Sequence, residues 1–178
     1  MRNISLGLLF LICSVLLTLP SWAKEPMRII EGTVTKVGDG DTIQVTDKLG
    51  TKVKVRFYGM DAPETEKGNK HTGKVSKPGQ PYGEEAFQAL RQKVDRQRVR
   101  LEVMDLDRYG RSVSIVWLSN HNINQEMVAE GWAWAYRQYL DRAHASEYIT
   151  AEEQARKAGK GLWRQNNPQP PWEFRKAL

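Results

Sequence analysis

The 178-residue sequence has a single cysteine, Cys13, and it lies inside the chain's one long apolar run. Beyond that run there is no thiol, so disulfides and cysteine-ligated zinc are excluded, and the fold must be held by its core. Histidine is almost as scarce, with three residues. His121 and His144 have no partner at metal-ligand spacing and are expected at the surface. Internal repeats are absent.

The apolar run reads as an export signal. Arg2 precedes it, Ile4 to Leu19 is almost wholly apolar, and Ser21-Trp22-Ala23 is a small-x-small cleavage site, so residues 1–23 are expected to be a signal peptide. The run is short for a membrane span, which needs about 20 apolar residues. Cleavage after Ala23, export to the periplasm or the medium, and no lasting membrane association are therefore expected. The stretch from 24 to 178 is long enough for one domain with a real core. The formal charge of +6 favours an anionic partner such as nucleic acid or a membrane surface.

Strand signals dominate the first part of that domain. Residues 27–37 alternate, Gly38-Asp39-Gly40-Asp41-Thr42 is a turn, and Ile43-Gln44-Val45 resumes the extended pattern. After a second turn at Asp47–Gly50, Lys52, Lys54 and Arg56 alternate with Val53, Val55 and Phe57. Three antiparallel strands are predicted over 27–58. Asp61 and Glu64 come next, around Pro63. A cation at a strand end and two carboxylates on the next turn form a polar cluster able to bind a metal and a phosphate together. Taken alone, such a trio is usually a surface salt-bridge network.

Residues 65–81 form a lysine-rich loop, and loops this long are functional or mobile. Its Lys67, Lys70, Lys74 and Lys77 are placed to brush a phosphate backbone or simply to be solvated. A helix is predicted over 83–96, with Phe87, Leu90 and Val94 on one face and Glu84 and Glu85 in its first turn. Residues 98–105 read as a strand and Asp107-Arg108-Tyr109-Gly110-Arg111 as a tight turn. A fifth strand carries Val113, Ile115 and Trp117. Asn122 and Gln125 form a capping box for a short helix that stops at Gly131. Trp132, Trp134, Tyr136 and Tyr139 are core aromatics or, where exposed, base-stacking surfaces. A last helix is expected over 146–158, then an extended tail anchored by Trp172 and Phe174. The string predicts an α+β, mainly β, fold: an OB-fold, that is, a five-stranded Greek-key barrel, with three helices. A different α+β sheet would give the same string. The domain is placed at 24–163 and the Pro/Trp-containing tail at 164–178.

Three stretches resemble the signature motifs of the staphylococcal nuclease (thermonuclease) family in order and spacing. They are Gly38-Asp39-Gly40-Asp41-Thr42, Arg56-Phe57-Tyr58-Gly59-Met60-Asp61-Ala62-Pro63-Glu64 and Asp107-Arg108-Tyr109-Gly110-Arg111. Pro81–Ala86 resembles the family's first helix start and Ala158–Trp163 its last helix end, so the likeness covers about residues 29–163. The resemblance implies a calcium-dependent phosphodiesterase acting on DNA and RNA and leaving 3′-phosphate ends. It implies Asp41, Asp61 and the Ala62 carbonyl as calcium ligands, Arg56 and Arg111 as the phosphate clamp and Glu64 as general base. Tyr109 joins Arg56 and Arg111 among the substrate-binding residues. The sequence departs at Ala62, where the best-known member has threonine; a carbonyl ligand is indifferent to that change. The resemblance leaves open which of Tyr136 and Tyr139 stacks on the nucleotide. A phosphate cleft with nearby aromatics favours single strands. A monomer is expected. The alternative is a non-catalytic nucleic-acid-binding OB module, which would be expected to lack one of the arginines or the glutamate; all of these are present. A third reading, a calcium-stabilised OB domain for oligosaccharide or peptide, leaves two arginines beside a metal without a purpose.

Overall fold

A computed structural model describes residues 24–69 and 71–178. The expected signal peptide, residues 1–23, lies outside the described residues, as does Lys70. Among the described residues, no helix is long and apolar enough to cross a membrane.

The strands are β1 (Arg28–Asp39), β2 (Thr42–Asp47), β3 (Lys52–Phe57), β4 (Met60–Asp61), β5 (Lys67–Gly68), β6 (Val75–Lys77), β7 (Arg98–Leu106), β8 (Ser112–Leu118), β9 (His121–Asn122) and β10 (Trp134–Ala135). The α-helices are α1 (Gly83–Val94), α2 (Ile123–Ala129), α3 (Arg142–Lys157) and α4 (Pro171–Phe174), with 3₁₀ turns at Arg137–Tyr139 and Gly161–Arg164. The main sheet runs β3-β2-β1-β7-β8, and a parallel pairing of β3 with β8 closes it into a five-stranded barrel. This is the expected OB-fold. Its long strand β1 serves two neighbours, pairing with β7 over Arg28–Thr33 and with β2 over Gly32–Asp39. Register shifts after Val34 and Val37 mark bulges that bend it.

Alternation supplies the interior. Val34, Ile43, Val45, Val55, Phe57, Val99, Leu101 and Val116 are fully buried, and α1 closes one end of the barrel with Ala86, Leu90 and Val94. Phe87, expected on that face, is only half-buried; Ala86 takes its place. Asn124 is buried and fully engaged. Its Oδ1 accepts from Val116 N at 2.9 Å, and its Nδ2 donates to the carbonyls of Tyr58 and Ser114, each at 3.0 Å. One side chain thus ties α2 to the barrel seam.

Four expectations change. The loop at 65–81 contains the short β5–β6 hairpin. Helix α3 begins at Arg142 rather than near 146, because Asp141 caps it by accepting from Ala143 N and His144 N. His144 is not a free surface residue: its ring nitrogen lies 2.9 Å from Asp141 Oδ2, and its ring meets Tyr58 edge-on. The tail is not wholly extended, since Pro171 starts the one-turn helix α4, which raises the helix count from three to four.

Candidate active site

Strand pairing builds the site. Thr42 pairs with Arg56, and Phe57 N donates to the carbonyl of Asp41 at 2.9 Å, so the 38–42 turn lies against the end of β3. The parallel seam sets Arg56 opposite Val113 and Val55 opposite Ser112. That seam brings the 107–111 turn to the same rim. A third pairing, Trp134 with Asp61, with Tyr136 N donating to Gly59 O at 2.8 Å, carries the aromatic segment to the carboxylates.

The acids form a buried row. Asp61 is fully buried and Asp41 nearly so. Arg56 bridges them, with Nη1 2.6 Å from Asp41 Oδ1 and Nη2 bonded to Asp61 Oδ1. The other Asp41 oxygen accepts from Ala62 N at 3.0 Å. Burial pushes the Asp41 carboxyl well above its ordinary value; Arg56 opposes this, and the neighbouring Asp39 and Asp61 add to it. Burial works against the charge on Arg56, but Asp41 and Asp61 outweigh it and hold the guanidinium more firmly protonated than usual.

Glu64 stands in front of this row with both oxygens occupied. Lys77 Nζ lies 2.6 Å from Oε2 and Arg175 Nη1 2.8 Å from Oε1. Burial alone would raise its pKa; the hydrogen bonds from Lys77 and Arg175 prevail and hold it below the usual carboxylate range.

Arg111 lines the same cleft as Arg56 and Glu64. Gly110 has φ +73°, and Asp107 organises the turn by accepting from Tyr109 N, Arg111 N and Arg111 Nε. With Nε so anchored, the Nη groups of Arg111 make no hydrogen bond among the described residues. Tyr109 is exposed, and its ring lies 4.8 Å from the Arg108 guanidinium and 5.6 Å from that of Arg111.

Arg56, Glu64, Tyr109, Arg111, Tyr136 and Tyr139 line one cleft of about 970 Å³. Asp41, Asp61 and Ala62 lie behind its wall. All the site residues expected from the sequence therefore gather on one rim of the barrel. Two more join them that the sequence does not connect with the carboxylates. Lys77 is one of four lysines in its loop, with no motif to set it apart, and Arg175 lies in a tail whose only sequence signal is its aromatic anchors.

Among the described residues no three Asp, Glu, His or Cys side chains form a metal-ligating group. The donor set is two buried carboxylates and backbone oxygen, without nitrogen or sulfur, and the carboxylates are already bridged by cations. That chemistry suits a hard cation with much of its coordination left to water and substrate.

Comparison with known proteins agrees with this geometry. The model described as "Staphylococcal nuclease homologue" matches residues 54–165. An uncharacterized endonuclease of Haemophilus influenzae is 36% identical over 98% of this chain and 86% of its own length. The chain belongs to the staphylococcal nuclease family. A micrococcal nuclease of Shigella flexneri is 35% identical over 92% of this chain and 87% of its own length. A thermonuclease of Staphylococcus hyicus is 37% identical, covering 73% of each chain. The stretch matched by the staphylococcal nuclease model holds Arg56, Asp61, Glu64 and Arg111. Asp41 precedes it and Arg175 lies beyond its end.

Proposed function

We propose that the chain is an exported, calcium-dependent endonuclease that hydrolyses phosphodiester bonds of DNA and RNA. Single strands are its preferred substrate and 3′-phosphates its product ends. The observation that carries this reading is the parallel β3–β8 seam, which sets Arg56 and Arg111 on one cleft beside Glu64 and the buried aspartates.

Asp41, Asp61 and the Ala62 carbonyl would hold the cation. Bound there, calcium would supply Lewis-acid stabilisation of phosphate charge and favour ionisation of a nearby water. The side chains account for the rest. Arg111 presents planar donors to the phosphate oxygens on which charge grows as phosphorus becomes five-coordinate, and Arg56, whose Nη groups are on Asp41 and Asp61, would do the same once the cation takes those carboxylates. Glu64 accepts the proton of the attacking water. The new bond joins that water's oxygen to phosphorus, and the bond to the 5′ oxygen breaks with its electron pair going to that oxygen, which takes a proton from solvent and leaves as a hydroxyl, so the phosphate stays on the 3′ side. Each Glu64 oxygen accepts one of these cations, which lowers its basicity, so loss of the Lys77 or Arg175 bond would make it a stronger base. Aromatic rings at the cleft would stack bases splayed from a flexible strand, which a paired duplex cannot present; Tyr139 is exposed there, and Tyr136 would be open to a base only once Trp172 leaves its face.

The test is cleavage of denatured and native DNA with calcium and then with excess chelator. Faster loss of denatured DNA is expected, with inhibition by salt as phosphate contacts are screened, and no cleavage in chelator. Undiminished cleavage in chelator removes calcium from the reading, and retention of DNA without cleavage marks a binding module. Export predicts a mature protein that begins at Lys24, read by mass spectrometry of material outside the cytoplasm; an N-terminus at Met1 there contradicts it.

A further inference from the structure

The C-terminal tail puts a cation of its own on the acidic row. Arg175 Nη2 lies 2.6 Å from Asp61 Oδ2, and Nη1 lies 3.1 Å from Asp61 Oδ1 and 2.8 Å from Glu64 Oε1. With Arg56 on the same Asp61 Oδ1, both oxygens of this fully buried carboxylate are held by guanidinium groups.

The tail is seated, not draped. Pro171 is buried. Gln80 Nε2 donates to Gln169 O at 2.5 Å, while Gln80 N donates to Glu64 O at 2.8 Å, so one residue fastens both the tail and the Glu64 backbone. Trp172 lies parallel to Tyr136, with ring centroids 5.0 Å apart and planes 5° apart, and meets Trp134 edge-on at 5.7 Å. Tyr139 packs against Tyr136 at 4.8 Å. A face of Tyr136 that could take a base is thereby covered by the chain itself.

We propose that the tail is a built-in occupant of the active site, with Arg175 standing on Asp61 and Glu64 in place of a divalent cation and Trp172 lying on Tyr136 in place of a base. This rests on the reading of Asp41 and Asp61 as cation ligands. A buried carboxylate without a counter-charge is costly, and a planar guanidinium meets both its oxygens at once. A divalent ion on Asp61 would meet the Arg175 guanidinium at the same two oxygens, where the two positive charges repel, so ion and Arg175 compete for the carboxylate. Helix α4 is a single turn, too short to be stable away from its seat, and opening of such a terminal segment costs less than global unfolding. The apparent metal affinity is then reduced by the fraction of time the tail is away. The tail thus sets the cation concentration at which the site loads.

The test is calcium binding to the full chain by calorimetry, for the parent, Arg175→Ala and Trp172→Ala. Trp172→Ala loosens the tail without touching a carboxylate, so it guards against a local collapse around Asp61. Both variants are expected to bind calcium more tightly, by roughly tenfold if the tail is open about a tenth of the time. Arg175→Lys, which keeps the charge but not the fork, is expected to fall between. In the parent, calcium is also expected to raise acrylamide quenching of the Trp172 fluorescence, assigned by its loss in Trp172→Phe. Equal affinity in the parent and both variants overturns the proposal while leaving the cation reading intact, as does weaker binding in the variants. No calcium binding by any of them overturns the cation reading and the proposal together.

Discussion

Glu64 holds a cation on each oxygen, Lys77 on one and Arg175 on the other, and Arg111, which lines the cleft, is anchored at Nε by Asp107. In the proposed mechanism the two residues act on different events, Glu64 on proton removal and Arg111 on phosphate charge. Glu64→Gln keeps the shape and removes the base, so single-turnover cleavage is expected to slow and to lose its low-pH limb. Arg111→Lys keeps the charge and loses the paired donors, and Lys cannot reproduce the Nε bond to Asp107. Its loss is expected in turnover more than in KM. One well-placed electrostatic donor is worth about 2.7–4 kcal/mol, roughly a hundred- to a thousandfold in rate. A Glu64→Gln enzyme with parental rate and pH profile would show that the base is elsewhere. That Asp41, Arg56, Asp61, Glu64 and Arg111 gather on one rim is legible in the sequence because each sits in a short motif beside a turn. Arg175 is not: it is one of 27 basic residues, and only the docking of α4 reveals which acids it meets.

At the scale of elements, the site depends on backbones packed too closely for a side chain. A Cβ on Gly83 would overlap the carbonyl oxygen of Glu64 and lie 2.7 Å from its carbonyl carbon. Helix α1 therefore presses directly on the segment that carries Glu64. Gly40 is similar, since its Cβ would fall 2.7 Å from that of Ala62 and 2.9 Å from that of Ala86. Gly83→Ala forces the start of α1 and the Glu64 backbone apart. A loss of about 1–3 kcal/mol, the usual range for overpacking, is expected in chemical denaturation. Activity is expected to fall further than the unfolded fraction explains, because Glu64 is moved. Parental stability and rate would mean that the two segments separate freely. The strands are readable because alternation and turn glycines coincide, as at 52–59. The start of α3 is hidden because Asp141 comes directly after the aromatic segment, where no polar gap announces a cap. The β5–β6 hairpin is hidden because it is short and nearly free of apolar residues.

Across the whole molecule, acidity and folding are coupled in opposite directions at different carboxylates. Glu64, Asp107, Glu126 and Asp141 are all held below the usual carboxylate range; burial opposes this at each, and hydrogen bonds outweigh it. A group depressed in the folded state adds stability above its unfolded pKa and loses it as pH falls through the folded pKa. Acid is therefore expected to lower the thermal midpoint as pH drops below the ordinary carboxylate range. Asp41 has the reverse sign. Burial raises it, so the folded chain keeps a proton that the unfolded chain releases, and its contribution to stability declines as pH rises above the unfolded value. At neutral pH a bound cation would offset that cost. Asp41→Asn removes the cost and the ligand together. In chelator near neutral pH its thermal midpoint is expected to equal or exceed that of the parent. Calcium is expected to raise the parent's midpoint at neutral pH, to raise it less in acid where protons compete for Asp41, and to leave Asp41→Asn nearly unmoved. Thermal denaturation of both proteins across pH, with calcium and with chelator, decides the matter; a calcium-induced rise in Asp41→Asn as large as the parent's would mean that Asp41 does not hold the ion.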